Sequence, residues 1–287
     1  MNRETKLRQR RRMLLAGLGL AAYPLMPALA WGQPNSDRVQ RSALVIGNAT
    51  YAFGKLRNPV NDARTVSTTL QEMGFDVVRA EDADLPHMLE AMKEFVARSQ
   101  ESDVRLLFYA GHGIQAKGKN YLVPVDATII EEDKLDAQMV SVIDLIDKLS
   151  ALKNGVNIVI LDACRTGVAA TVRRRGGTAA RSLAAGLAQM NAPRGTLIAF
   201  STAPGSVALD GKSDNSAYTK HLVDNMRLPG LPVEQLFKRV RISVAEDTKQ
   251  SQIPWESSSL MGDFCFLNNN AGTCANTVTA TGTKTDR

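Results

Sequence analysis

The sequence predicts an α/β protein with a mostly parallel sheet and helices on both faces. Three observations predict it. Short runs are apolar at every position, as strands buried on both sides are. Stretches of 11–15 residues with apolar residues at helical spacing separate those runs. The order of the two alternates along most of the chain, as crossover connections between parallel strands require.

In chain order, Ser42–Gly47 reads as a buried strand ending in glycine, and Asp62–Met73 as a helix closed by Gly74. A short strand follows at Asp76–Val78, then a helix over Leu85–Ala97 with Leu85, Met88, Leu89, Met92, Phe95 and Val96 on one side. Val104–Ala110 is a second clear strand and ends in Gly111-His112-Gly113. Ile114–Leu122 has the pattern of a hairpin turning at Lys117-Gly118-Lys119-Asn120. Val140–Leu152 reads as a helix, and Val156–Leu161 is the most apolar strand of all, leading into Asp162-Ala163-Cys164-Arg165. Residues 165–194, rich in Arg, Gly and Ala, carry no strand signal. Gly195–Ser201 resumes as a strand, Ala217–Met226 and Val233–Asp247 are helical, and Leu260–Leu267 reads as a last strand. Residues 268–287 are polar and read as a disordered tail. No internal repeat is present.

Composition bounds the function. With 287 residues, 44% hydrophobic and 22% charged, the chain is in the ordinary globular range, which excludes disorder throughout, collagen-like repeats and a multi-span membrane protein. The net charge of +6 does not indicate nucleic acid. Residues 1–30 hold six Lys/Arg against Glu4, a net of +5, which leaves about +1 for everything after them. A near-neutral body gives no electrostatic reason to expect DNA, RNA or an anionic membrane as partner.

The first thirty residues have the layout of an export signal. Arg8–Arg12 is basic, Met13–Ala30 runs eighteen residues without a charge, and Ala28-Leu29-Ala30 supplies the small residues a signal peptidase reads. Arg11-Arg12-Met13-Leu14-Leu15 resembles a twin-arginine signal, and the general secretory route fits the same features. An uncleaved anchor helix is disfavoured by Pro24 and Pro27. Residues 1–30 are therefore read as a removable signal and 31–40 as a linker, giving a periplasmic or secreted protein with no membrane attachment after cleavage. Of the three cysteines, Cys265 and Cys274 lie nine positions apart and either close a small disulfide loop or remain separate, with Cys265 buried and Cys274 free. No zinc spacing occurs.

Reactive groups in an open α/β sheet gather outside the carboxyl ends of the strands. Two strands end in suggestive residues: one in His112 between glycines, the other in Cys164, placed in the exit loop two residues past its strand. A thiol of pKa ~8.5 needs a nearby imidazole to present thiolate at neutral pH. Attack on a carbonyl also needs oxyanion donors, for which the backbone N–H groups of Gly113 and Cys164 are suited. The chemistry described is acyl transfer through a thioester. His87 and His221 fall in helical patterns and read as surface residues.

Phe108-Tyr109-Ala110-Gly111-His112-Gly113, followed by Leu161-Asp162-Ala163-Cys164-Arg165 with its cysteine 52 residues after the histidine, resembles the caspase-like cysteine peptidases, in their bacterial metacaspase-like branch. Leu56–Ala63, Gly195–Ser201 and Pro254–Leu260 are similar to further segments of that family. The resemblance implies a three-layer sandwich around a mostly parallel six-stranded sheet over 41–267, with a large-subunit-like part at 41–172, a linker loop at 173–194 and a small-subunit-like part at 195–267. It makes Cys164 the nucleophile and His112 the general acid/base. It also makes Asp62 and Asp162 the floor of a primary specificity pocket for Arg or Lys, although an acid in a first helical turn is favoured by the helix dipole alone. A third acidic partner is not evident; Ser201 and Asp210 stand near where one would be. Protein or peptide substrates follow. No cofactor is implied, and calcium activation, known in parts of the family, stays open because no concentrated acidic cluster identifies a site. Thr166-Gly167-Val168 departs from the Asn-Pro-Phe-like continuation of many relatives. Arg173, Arg174 and Arg175 in the linker loop are candidate self-cleavage sites. Two other readings remain: a catalytically silent caspase-fold binding protein, against which both reactive residues are present, and a cytoplasmic proenzyme of a cell-death or defence pathway.

Overall fold

In the computed structural model the chain is described over residues 39–116, 118–127, 130–131, 134–152, 155–164, 172–173, 187–204, 206, 213–269 and 272–274. Residues 1–30, the expected export signal, residues 31–38 of the expected linker, most of residues 165–186 and most of the expected tail, 275–287 included, lie outside the described residues.

The elements are β1 (Arg41–Gly47), α1 (Pro59–Glu72), β2 (Asp76–Glu81), α2 (Leu85–Arg98), β3 (Val104–Ala116), β4 (Lys119–Leu122), β5 (Ile130–Glu131), α3 (Leu135–Gln138), β6 (Val140–Ser141), α4 (Val142–Ser150), β7 (Val156–Cys164), β8 (Val172–Arg173), β9 (Thr196–Phe200), α5 (Ala217–Met226), α6 (Val233–Asp247) and β10 (Trp255–Ser258). Six strands form the main path in the order β10-β9-β7-β3-β1-β2. All neighbours in it are parallel except β10, which runs antiparallel to β9. The mostly parallel six-stranded sheet is thus borne out. β4 and β6 add a short antiparallel flap on the upper half of β3.

Side chains alternate between two cores along each strand, which is why the strands read as uniformly apolar. Ala43, Val45, Leu106, Phe108, Ile158 and Ile160 face one core with α1, α5 and α6. Leu44, Ile46, Leu107, Tyr109, Val159 and Leu161 face the other with α2 and α4. Helix starts follow local chemistry. Pro59 opens α1, Asp84 accepts the His87 N–H at the start of α2 at 2.9 Å, and Ser216 accepts the Thr219 N–H at the start of α5 at 3.0 Å.

Several expectations are corrected. The last strand is not Leu260–Leu267 but Trp255–Ser258, paired with β9 from Phe200 to Leu197. Backbone carbonyls of the expected strand are engaged elsewhere: Phe264 O accepts from Val233 N–H, Leu267 O from Gly230 N–H, and Phe266 O from the Arg41 guanidinium at 2.7 Å. Phe264 and Phe266 meanwhile pack edge to face into the core. The helix expected from Val140 begins at Val142, because Val140–Ser141 pairs with β4 and Ser141 then caps α4. Strand β7 continues to Cys164 because it keeps pairing with β3 to the His112–Cys164 step, and β3 continues past Ala110 to Ala116 because its last four residues pair with β4. In the linker region, Val172–Arg173 pairs in parallel with Ile130–Glu131 where no strand was expected. Cys265 and Cys274 form a disulfide with Cα atoms 5.6 Å apart, the first of the two alternatives.

Candidate functional site

The site forms where β3 and β7 end side by side. His112 and Cys164 are register partners across the two central strands, so their Cα atoms are separated by about the 4.8 Å strand spacing. Cys164 is the last residue of β7, not a member of an exit loop.

His112 is buried, and its surroundings come from a segment that the sequence reading does not single out, the loop after β1. The imidazole Nε2 lies 2.6 Å from Gly54 O. A carbonyl oxygen only accepts, so in the neutral ring Nε2 carries the proton and Nδ1 holds the lone pair. Phe53 stacks on the imidazole with centroids 5.4 Å apart, and Tyr51 approaches it to 4.5 Å, tilted by 53°. The loop is tied down on both sides. Asp82 Oδ1 accepts the N–H groups of Ala49 and Thr50 at 2.7 and 2.9 Å. The Asn48 side chain bonds Ala83 N–H, Ala83 O and Val123 O. The sequence signal is two aromatic residues and a glycine, Tyr51-Ala52-Phe53-Gly54, shortly after a strand exit. It escapes notice because neither aromatic residues nor a backbone carbonyl resemble a catalytic motif.

Gly113 follows His112 on β3. The Val123 N–H donates to His112 O at 3.1 Å, so Gly113 and Leu122 form a non-hydrogen-bonded pair of the antiparallel β3–β4 ladder. The Gly113 N–H therefore points away from β4, to the side where β7 ends. Leu187 packs against the Gly113 backbone, and the Asn120 side chain holds the next residue, Ala188, through both its N–H and C=O at 2.7 and 2.8 Å.

Asp62 and Asp162 are brought together. Asp62 sits in the first turn of α1 and Asp162 two residues before the end of β7; both are buried. Asp62 Oδ1 accepts from the Ser216 N–H at 3.0 Å and from Asn215 Nδ2 at 2.9 Å. Asp162 Oδ2 accepts from Ser216 Oγ at 2.6 Å. Ser216 does not stand out in the sequence, where it is one polar residue among several before a helix. Burial, and then the nearby Asp162 and Glu256 carboxylates, push the Tyr218 phenol behind this group well above its ordinary pKa. The hydroxyls of Ser201 and Thr202, at the end of β9, are buried without a protein hydrogen-bond partner among the described residues. Asp210, Arg174 and Arg175 lie outside the described residues, and Arg173 ends β8. His87 and His221 pair with Asp84 and Asp247 at the surface. Among the described residues no group of three or more His, Cys, Asp or Glu side chains could hold a metal ion.

Chemically, the arrangement is a base with a fixed tautomer beside a strand-end cysteine, an N–H directed to the same place, and two buried carboxylates nearby. The C14 peptidase family model, described as the caspase domain, matches residues 40–265. Among curated proteins, the mouse (Mus musculus) mucosa-associated lymphoid tissue lymphoma translocation protein 1 homolog is 32% identical over 47% of this chain and 16% of its own length. Its human (Homo sapiens) counterpart is 32% identical over 43% of the chain and 15% of its own length. Metacaspase-1 of Mycosarcoma maydis is 27% identical over 81% of the chain and 63% of its own length. The chain thus spans about one-sixth of the first two relatives and under two thirds of the third.

Proposed function

Because the chain belongs to the caspase-domain family of cysteine peptidases, we propose that it is an exported endopeptidase cleaving proteins after Arg or Lys through Cys164 and His112. The observation that carries this reading is the His112–Cys164 pairing, with Gly54 O holding His112 Nε2–H. Cys164 gives its proton to His112 Nδ1, and the thiolate sulfur adds to the scissile carbonyl carbon. The carbonyl π pair moves onto oxygen, where the N–H groups of Gly113 and Cys164 receive it; each such donor is worth roughly 10²–10³ in rate. Collapse breaks the C–N bond, the amine leaves with the proton from His112, and a thioester remains. Water, deprotonated by His112, then releases the acid and regenerates the thiol. No cofactor takes part in these steps.

The preference for Arg or Lys rests on Asp62 and Asp162. Two buried carboxylates meeting at one residue favour a guanidinium or ammonium and repel an aspartate side chain. Export rests on the N-terminal sequence, and the Cys265–Cys274 disulfide agrees with an oxidising compartment.

The test is hydrolysis of fluorogenic peptides carrying Arg, Lys, Asp or Ala before the scissile bond, by residues 31–287, with and without calcium. Hydrolysis of the Arg and Lys peptides is expected, and its loss in Cys164→Ala. Undiminished turnover in purified Cys164→Ala overturns the nucleophile; a preference for Asp overturns the pocket.

A further inference from the structure

Two phenol hydroxyls meet beneath His112. Tyr109 precedes it by three residues on β3, Tyr51 comes from the loop after β1, and both are buried. Tyr109 Oη donates to His112 O at 2.6 Å. The His112 N–H donates to Tyr51 Oη at 3.0 Å. The two hydroxyl oxygens are 3.1 Å apart, and each is 3.1 Å from Val123 O. Both peptide groups of the histidine are therefore held by side chains, one at its N–H and one at its C=O. Gly111 makes this possible: a Cβ there would lie 2.7 Å from each hydroxyl oxygen, so the hydroxyls occupy the space of the missing side chain. Burial pushes the Tyr51 phenol far above its ordinary pKa, which keeps it a neutral hydroxyl.

We infer that Tyr51 and Tyr109 are positioning residues for His112, fixing its backbone so that the imidazole holds Gly54 O at the strand position paired with Cys164. The inference rests on the reading of His112 as the base of the dyad. The geometry also ranks the two. Without the Tyr109 hydroxyl, His112 O keeps the Val123 N–H at 3.1 Å. Without the Tyr51 hydroxyl, the buried His112 N–H loses the acceptor at 3.0 Å. Tyr51 also contacts the imidazole itself, with its ring 4.5 Å away. Tyr51→Phe is therefore the more damaging change.

The experiment compares wild type, Tyr51→Phe and Tyr109→Phe in three measurements: kcat and KM on an Arg peptide, Tm, and the pH dependence of alkylation by iodoacetamide. The disulfide occupies Cys265 and Cys274, so alkylation of the folded protein reports Cys164 alone. Wild type is expected to alkylate with a profile below that of an ordinary thiol, which titrates at ~8.5. Tyr51→Phe is expected to lower kcat by about tenfold or more, with KM little changed, and to move the alkylation profile up toward the ordinary thiol range. Tyr109→Phe should do the same to a smaller extent. A lower Tm with an unmoved alkylation profile and unchanged kcat would mean that the tyrosines only stabilise the fold, and overturns the inference. Should Tyr109→Phe fail to fold, Tyr51→Phe, in a loop, decides. A wild type that neither hydrolyses peptides nor alkylates below the ordinary range instead overturns the dyad, which separates the two failures.

Discussion

Asp62 and Asp162, one hundred positions apart in sequence, accept hydrogen bonds from the same residue: Ser216 gives its N–H to the first and its hydroxyl to the second. The same Ser216 Oγ accepts the Thr219 N–H and so starts α5. A helix start, a strand end and the first turn of α1 are thereby joined at one residue.

This joint gives a graded prediction. If both carboxylates receive the substrate's basic side chain, Asp162→Asn should raise KM and lower kcat/KM for Arg peptides by about 10–100-fold, since a charge-assisted bond is worth roughly 1.5–3 kcal/mol. Ser216→Ala keeps both charges and the backbone N–H to Asp62 but removes the hydroxyl that orients Asp162, and should cost about tenfold, mostly in KM. Ser216→Thr retains hydroxyl and cap and should recover most of it. Steady-state kinetics on matched Arg and citrulline peptides checks this. Equal losses on the charged and neutral peptides would mean that the substitutions act through stability, not recognition.

Export and the disulfide are checked together by one measurement. Intact mass of the protein recovered from its native compartment should correspond to residues 31–287 less two hydrogens, beginning at Trp31. A mass that retains Met1 or Asn2 refutes signal removal, and a protein with three free thiols refutes the oxidised state. Closing a loop of this length stabilises by about 3 kcal/mol in the chain-entropy account, so reduction should lower Tm. The loop adjoins Phe264 and Phe266, whose rings cover the core beside Arg41, and these are the contacts that reduction would loosen first.

The parallel core was legible because Val45, Leu106, Ile158 and their neighbours are buried on both faces and need no polar alternation. The His112 and Cys164 motifs were legible because each follows such a run. Other features were not, for physical reasons. The Leu260–Leu267 segment has strand-like aromatic residues, but they serve as packing against the edge of the core while its carbonyls bind a helix start and Arg41. Strand β6 is two residues long and is set by its partner β4, not by its own composition. The support of His112 by Gly54 uses a backbone carbonyl, which every residue has and no sequence pattern marks. Ser216 acquires its role only when residues 62, 162 and 216 meet.

Self-cleavage in the linker region is a third expected outcome. Arg173, Arg174 and Arg175 are three consecutive basic residues in the stretch that begins after the proposed nucleophile, and an enzyme selecting Arg would accept any of them. Mass spectrometry of wild type beside Cys164→Ala should find fragments ending at these arginines in the wild type only. The same fragments in the mutant would assign the cut to another protease, and an intact wild type after prolonged incubation would show that the segment is not a substrate.

The last prediction concerns the opposite end of the sheet, where stability and activity should separate. Arg105 is fully buried on β3, with its Nε donating to Ser99 O at 3.1 Å at the end of α2. Its guanidinium lies over Gly155, just before β7; a Cβ there would be 2.7 Å from Arg105 Nη1 and 2.8 Å from Asp103 O. The guanidinium is held by its bond to Ser99 O, and the Asp103 carbonyl is held by the Val156 N–H at 2.8 Å, so neither retreats freely. Gly155→Ala should therefore destabilise by about 1–3 kcal/mol, as overpacking of a close contact does. The residue lies at the amino end of β7 and the proposed site at its carboxyl end, so kcat/KM per folded molecule should be unchanged. Thermal melting with active-site titration separates the two quantities. Arg105→Met removes the planar head that the added methyl group would meet, so combining it with Gly155→Ala should cost less than the two single losses together. Strict additivity in that cycle would place the strain of Gly155→Ala on the Asp103 carbonyl alone.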